Sequence, residues 1–367
     1  MPRGSCPFGC SSMSEIAIPH SRPFIGPDDV QAVARVLASG RLVQGEQVHA
    51  FEEEVSALIG VGHAAALSSG TAALHLALLS LGVGEGDEVI IPSYVCAALL
   101  HAIRHVRAVP VIADIEADTF NISLEDVKKR LTGSTRAIIV PHMFGLPADL
   151  DGITSLGIPV IEDCAQSIGS RYQGVFTGRK GVLSVYSFYA TKMITTGEGG
   201  MVVSDRADLI GTIRDLRDYD EREHDRLRFN CKMTDLQAAL GRSQLKKLPM
   251  FLQRRREIAG RYSQELAATG FQVPVTPPGR EHAYYRYVVL LDRPGLFLER
   301  IRAQGIECRR AVFKPLHEYL GLPGYAVTRQ IQDRAVSIPI YPSLADDTAQ
   351  SVIEKIKEAA SEGGTRV

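Results

Sequence analysis

Three short stretches of the chain gather residue types suited to chemistry on a carbonyl or an imine. In Ile161-Glu162-Asp163-Cys164-Ala165-Gln166-Ser167-Ile168-Gly169, an acidic residue ends the apolar run Pro159-Val160-Ile161. In Ser187-Phe188-Tyr189-Ala190-Thr191-Lys192, a hydroxyl and a lysine follow a second run, Val182-Leu183-Ser184-Val185-Tyr186. The glycine-rich Gly197-Glu198-Gly199-Gly200 comes next. Ligands of open α/β sheets sit at the carboxyl ends of strands, so two strands would deliver a carboxylate and a lysine to one place. That pair suits pyridoxal phosphate, which needs a lysine for a Schiff base and an acid for its pyridine nitrogen.

Each residue also has an ordinary reading. A lone lysine is usually solvated, but glycines let backbone pass close to a ligand, and a Schiff-base lysine must be held where its amine is nucleophilic. Asp163 could cap the next helix; with Lys192 nearby in chain order, the pyridinium partner is the better reading. Gln166, three residues on, can hydrogen-bond a ring hydroxyl. Ser68-Ser69-Gly70-Thr71-Ala72-Ala73-Leu74 leads into an apolar helix. Free N–H groups there form an anion site, although Ser, Gly and Thr also make common N-caps. Ser187 can add a hydroxyl to the same phosphate. Thr234 is the N-cap of a helix start, and nothing in its physics makes nearby Asn230 functional.

The positioning elements follow from pattern. Glu88–Pro92, Val109–Asp114 and Arg136–Pro141 read as strands; Ala97–Arg107 and Leu124–Leu131 read as helices between them. Strand and helix in alternation predict an α/β fold, with a large domain whose mostly parallel sheet is sandwiched by helices. After Pro249 a long charged helix to Thr269, a strand over Tyr284–Leu291, and helices over Leu296–Gln304 and Ala345–Ala360 predict a smaller C-terminal α+β domain. The expected division is a tail over 1–17, a large domain over 18–248 and a small domain over 249–367.

Composition excludes several classes. The chain has 367 residues, 45% hydrophobic and 23% charged, with a net charge of −1. That balance speaks against nucleic acid or an anionic membrane as partner. No apolar stretch is long enough to span a bilayer, and the N-terminus lacks the apolar core of a signal peptide, so the expected location is cytoplasmic. Six cysteines are scattered rather than paired; Cys6 and Cys10 are close but lack the further ligands of a zinc site, so no metal is expected.

Taken together, Ser39–Gly45, Ser69–Leu74, Gly86–Ile90, Glu162–Gln166, Ser187–Lys192, Gly197–Gly200, Met233–Gly241 and Pro315–His317 resemble the motifs of the DegT/StrS-type sugar aminotransferases, a branch of the aspartate-aminotransferase fold (fold type I). They occur in that family's order and cover nearly all of the chain after Ile18. The resemblance implies that Lys192 carries pyridoxal phosphate, which cycles through pyridoxamine phosphate. It implies that Asp163 pairs with the pyridine nitrogen, that Gln166 contacts the ring hydroxyl, and that Gly70, Thr71, Ala72 and Ser187 hold the phosphate. Asn230 would reach the phosphate of the neighbouring subunit's cofactor, implying a homodimer with shared sites. The implied reaction moves an amino group from L-glutamate or L-glutamine to a keto sugar, most naturally nucleotide-linked, for polysaccharide or secondary-metabolite synthesis. Arg41, Arg309, Lys314 and His317 are candidates for the entrance that meets a diphosphate, with Tyr94 as a further substrate neighbour; each is equally readable as solvated or structural.

Two positions depart from the family pattern. Cys96 stands where an aromatic residue often stacks on the cofactor, and Tyr189 stands where histidine is frequent. Relatives that deoxygenate sugars replace the lysine by histidine, so Lys192 disfavours that chemistry. The competing readings are a sugar dehydratase or isomerase on the same cofactor, and a non-enzymatic cofactor-binding regulator. A nicotinamide dehydrogenase ranks last, because no Gly-x-Gly-x-x-Gly follows an early strand.

Overall fold

A computed structural model describes residues 17–361. The expected tail, with Cys6 and Cys10, lies outside the described residues but for residue 17. In chain order the strands are β1 (His63–Leu67), β2 (Glu88–Pro92), β3 (Val109–Ala113), β4 (Thr135–Pro141), β5 (Val160–Asp163), β6 (Arg171–Tyr172), β7 (Val175–Phe176), β8 (Leu183–Ser187), β9 (Gly200–Ser204), β10 (Arg280–Glu281), β11 (Tyr287–Leu290), β12 (Arg309–Arg310) and β13 (Ala335–Ile338). Seven form the main sheet, in the order β1-β9-β8-β5-β4-β2-β3. The pairs β2/β3, β2/β4, β4/β5 and β5/β8 are parallel, and β9 runs antiparallel to both β8 and β1. The chain therefore has the mostly parallel α/β sheet that its alternating pattern predicts.

The strands are near-continuous apolar runs because both faces of the sheet are covered. Alternate residues point to opposite faces. Ala65, Leu67, Ile139, Ile161, Val185 and Val202 enter one core with the helix Gly70–Ser80. Ala64, Ala66, Tyr186 and Met201 enter a second, while Ile138, Val140 and Val160 enter a third on the same side. Among the described residues no helix is long and apolar enough to cross a membrane.

Two expectations change in the C-terminal part. The helix expected to begin at Pro249 is the second half of one helix, Asp235–Ala267, with Pro249 inside it. Thr234 and Gln237 form a reciprocal capping box at its start. The helix enters the sheet's core through Ala238 and Leu248 and, past Pro249, through Phe251 and Leu252; from Ile258 on it joins a separate core through Ile258, Ala259, Tyr262 and Leu266. The expected division at 248/249 thus falls inside a helix common to both cores. The strand expected over Tyr284–Leu291 starts only at Tyr287. Tyr284 has a left-handed φ of 52°, and the Arg286 N–H donates to the Phe144 carbonyl rather than to a neighbouring strand.

Candidate active site

Strand register assembles the site. Asp163 at the end of β5 lies opposite Val185, two residues before Ser187 at the end of β8. Ser187 pairs with Gly200 on β9, and Gly200 pairs with Leu67 on β1. From Leu67 the chain turns through Ser68 and Ser69 into the helix Gly70–Ser80. Asp163, Ser187, Gly200 and that helix N-terminus therefore meet along one edge of the sheet.

At this edge the glycines are sterically required. A Cβ on Gly200 would collide with the Ser69 carbonyl, and one on Gly70 would lie 2.9 Å from the Ser187 Cβ. Ser69 caps the helix, its Oγ accepting from the Ala72 N–H at 3.1 Å. The N–H groups of Gly70 and Thr71 belong to the first turn, which has no intrahelical acceptor for them. A hydroxyl, two free N–H groups and a backbone without side chains make a cradle suited to a phosphate.

Lys192 rides on the connection between β8 and β9. That loop is closed by Phe188 N–H to Gly199 O at 2.9 Å, Thr196 N–H to Phe188 O at 2.9 Å and Lys192 N–H to Tyr189 O at 2.9 Å. Gly197 supplies a left-handed turn with φ of 79°. The lysine reaches a cavity of about 530 Å³ lined by Cys96, Gln166, Tyr285, Arg286, Arg309 and Lys314, with Phe313 and Tyr319 among its other walls.

Asp163 is buried, and the Ala165 N–H donates to its Oδ1 at 3.0 Å. Burial pushes its carboxyl above the usual range, although the Ala165 N–H and the charge of Lys192 pull the other way. A carboxylate left short of partners in this way is suited to a cationic N–H such as a pyridinium. Gln166 accepts the Phe144 N–H through Oε1 at 2.9 Å, which leaves its amide NH₂ as a donor at the cavity wall. Cradle, carboxylate, amide donor and lysine together fit pyridoxal phosphate.

The other expected positions are spread more widely. Cys96 opens onto the cavity while surrounded by protein; burial pushes its thiol up, with the Lys192 charge opposing. Tyr94 turns into the core, its ring 6.3 Å from those of Phe120 and Phe144. His317 is also buried, with Nδ1 2.6 Å from Ser93 Oγ and its ring stacked on Tyr325, so it braces the turn after β2. Arg41 is on the surface, paired with Glu46 at 3.2 Å. Arg309 and Lys314 line the cavity. Tyr189 and Asn230 are exposed, and the Cys231 carbonyl next to Asn230 accepts the Ser68 N–H at 2.8 Å.

Sequence reasoning missed Tyr285 and Arg286, which read as the start of a strand, and a buried pair behind Asp163. His142 Nε2 lies 3.0 Å from Glu162 Oε2, and the His142 Nδ1 accepts the Ala148 N–H at 3.1 Å. Those two bonds set the neutral ring with its proton on Nε2. Glu162 also accepts from the Gly178, Lys180 and Gly181 N–H groups at 2.8, 2.7 and 2.6 Å. Burial would raise its carboxyl, but His142 and these N–H groups hold it below the usual range. His142, Glu162 and Cys164 lie close enough to hold a metal ion, yet both imidazole nitrogens and both carboxylate oxygens are already engaged.

The profile of the DegT/DnrJ/EryC1/StrS aminotransferase family matches residues 23–357. Among solved structures the chain is similar to DesV of S. venezuelae, with 33% identity and a TM-score of 0.86 over 90% of this chain and 94% of that one. It is similar to the aminotransferase TlmJ of Streptoalloteichus hindustanus, with 30% identity and a TM-score of 0.90 over 94% and 99%. It is also similar to Spr1654 of Streptococcus pneumoniae, a candidate sugar aminotransferase, in its PLP form, with 27% identity and a TM-score of 0.89 over 94% and 99%.

Proposed function

The chain belongs to the DegT/DnrJ/EryC1/StrS aminotransferase family and is a pyridoxal-phosphate-dependent sugar aminotransferase; on that premise we propose that it moves an amino group from L-glutamate, or L-glutamine, to a nucleotide-linked keto sugar. The observation that carries this reading is the placement of Asp163 and Lys192 at one sheet edge, beside a cavity rimmed by Arg286, Arg309 and Lys314. Those cations suit the diphosphate of a nucleotide-linked substrate. We further propose that it works in the cytoplasm as a homodimer, with 18–248 as the cofactor-binding domain and 249–367 as the smaller one. Exposed Asn230 would complete the partner's phosphate site.

When bound, pyridoxal phosphate supplies an electron sink for the carbanion formed as the donor loses its α-proton. The Gly70 and Thr71 N–H groups, the neighbouring Ala72 turn and the Ser187 hydroxyl would hold its phosphate. Asp163 would keep the ring nitrogen protonated, and the Gln166 NH₂ would donate to the ring hydroxyl. Lys192 would carry the cofactor and, once displaced by the donor, take the α-proton on its Nζ. Cys96 would pack on the ring with less area than an aromatic side chain.

The test is the visible absorbance of purified protein loaded with pyridoxal phosphate, before and after L-glutamate. Conversion of the lysine-bound band to the pyridoxamine form is the expected result. A band unmoved by both glutamate and glutamine would favour a dehydratase or isomerase. No band at all would remove the roles assigned to Lys192 and Asp163.

A further inference from the structure

We propose that Tyr285 is a positioning residue for Lys192, holding against its ring face the ammonium group that forms once the detached lysine has taken the α-proton. The proposal rests on the reading above for the cofactor, and on geometry of its own. Lys192 Nζ lies 5.0 Å from the Tyr285 ring centroid, within the range where a ring face attracts a cation. Tyr285 is 9% exposed and lines the same cavity. A lysine freed from its cofactor is a flexible four-carbon stem with a strongly hydrated head. A fixed ring beside it limits where that head can go.

The ring is fixed by its backbone. Arg255 Nη1, from the helix Asp235–Ala267, donates to the carbonyls of Tyr284 at 3.1 Å, Tyr285 at 3.2 Å and Ile340 at 2.9 Å. A Cβ on Gly145 would lie 3.1 Å from the Tyr285 nitrogen and 3.1 Å from the Gln166 carbonyl, so the segment is packed against the loop beside the cofactor site.

The charged groups around the phenol are Lys192 from the β8–β9 loop, Arg286 at 5.6 Å from the ring, Arg309 from β12 and the Arg255 guanidinium at its carbonyl; His20, from the segment before the first helix, faces the same space but burial and the nearby arginines bring its imidazole down to about 3, so it is neutral. Burial pushes the phenol up. The charges of Lys192 and Arg286, with hydrogen bonding from Thr191 and Arg286, outweigh it and bring the phenol down to about 8.

Ultraviolet titration of the cofactor-free protein tests this directly, because ionised tyrosine absorbs where the phenol does not. One tyrosine is expected to ionise near pH 8 in the wild type and to be missing in Tyr285→Phe. In Lys192→Met its midpoint should rise by about one pH unit or more, as expected for loss of a charge at this range. In the loaded enzyme, Tyr285→Leu should lower kcat about tenfold with KM little changed, and Tyr285→Phe, which keeps the ring, should recover most of that loss. An unmoved midpoint in Lys192→Met, or wild-type kcat in a folded Tyr285→Leu, would overturn the proposal. If Tyr285→Leu does not fold, the titration of the other two variants still decides. A wild type that neither binds pyridoxal phosphate nor responds to an amino donor would overturn the cofactor reading instead, whatever the titration shows.

Discussion

Glu162 and Asp163 are neighbours on β5, and strand alternation sends their carboxylates to opposite faces of the sheet. Behind the sheet, Glu162 is enclosed by His142 and three backbone N–H groups and sits below its usual pKa range. In front, Asp163 has the Ala165 N–H and the more distant charge of Lys192, and sits above its range. Both are buried. One region is a finished hydrogen-bond network that holds the strand ends in place. The other is deliberately short of partners, and a bound cation would complete it. Burial alone therefore does not distinguish the two acids; the unmet demand of Asp163 does.

Substitutions sharpen or break this contrast. The largest effect belongs to the cavity side: Lys192→Ala should lower transamination by about a thousandfold or more, measured as conversion by L-glutamate in a single turnover. Asp163→Asn should cost on the order of a hundredfold in the same assay, with the fold intact. On the other face, Glu162→Gln should remove about 3 kcal/mol of stability at neutral pH, because it leaves buried donors facing an amide. That loss should shrink in acid. The folded carboxyl titrates below its unfolded value, so the stability Glu162 provides is present above the unfolded pKa and disappears as pH falls through the folded one. Thermal unfolding of both proteins across pH checks this.

The smallest effect has the opposite sign. The folded pKa of Asp163 is raised, so its ionisation in the cofactor-free protein costs stability as pH rises from the unfolded value through the folded one. Asp163→Asn should then unfold at a slightly higher temperature than wild type without cofactor, by about 1 kcal/mol, and gain less from added pyridoxal phosphate. If both acid substitutions destabilised the cofactor-free protein equally, the contrast between the two faces would fail.

The parts of this site that were legible in the sequence are those built from local pattern. Asp163 stands out because it ends an apolar run and Lys192 because it follows a second one, and Gly197 to Gly200 announces a tight backbone. Tyr285 and Arg286 were hidden, because Tyr-Tyr-Arg-Tyr before Val-Val-Leu-Leu has strand composition; only the left-handed Tyr284 and the long-range bond to Phe144 turn the segment aside. His142 and Glu162 are far apart in the chain and unremarkable singly. Arg41 and His317 show the converse: their types suited an anionic substrate, but an exposed ion pair with Glu46 and a buried bond to Ser93 account for where they sit. The helix running through Pro249 was obscured because proline normally starts a helix or breaks one.

The antiparallel strand β9 also sets an order of assembly. Its pairing with β8 closes only the short loop that carries Lys192, whereas its pairing with β1 joins segments from far apart in the chain. Short loops close at less entropic cost, and long-range pairings form more slowly. During folding the lysine hairpin can form before Gly200 has packed against Ser69 and Gly70 at the start of the helix Gly70–Ser80. Pyridoxal phosphate present during refolding should therefore act late, by drawing the chain toward the state in which β1 and β9 have already joined.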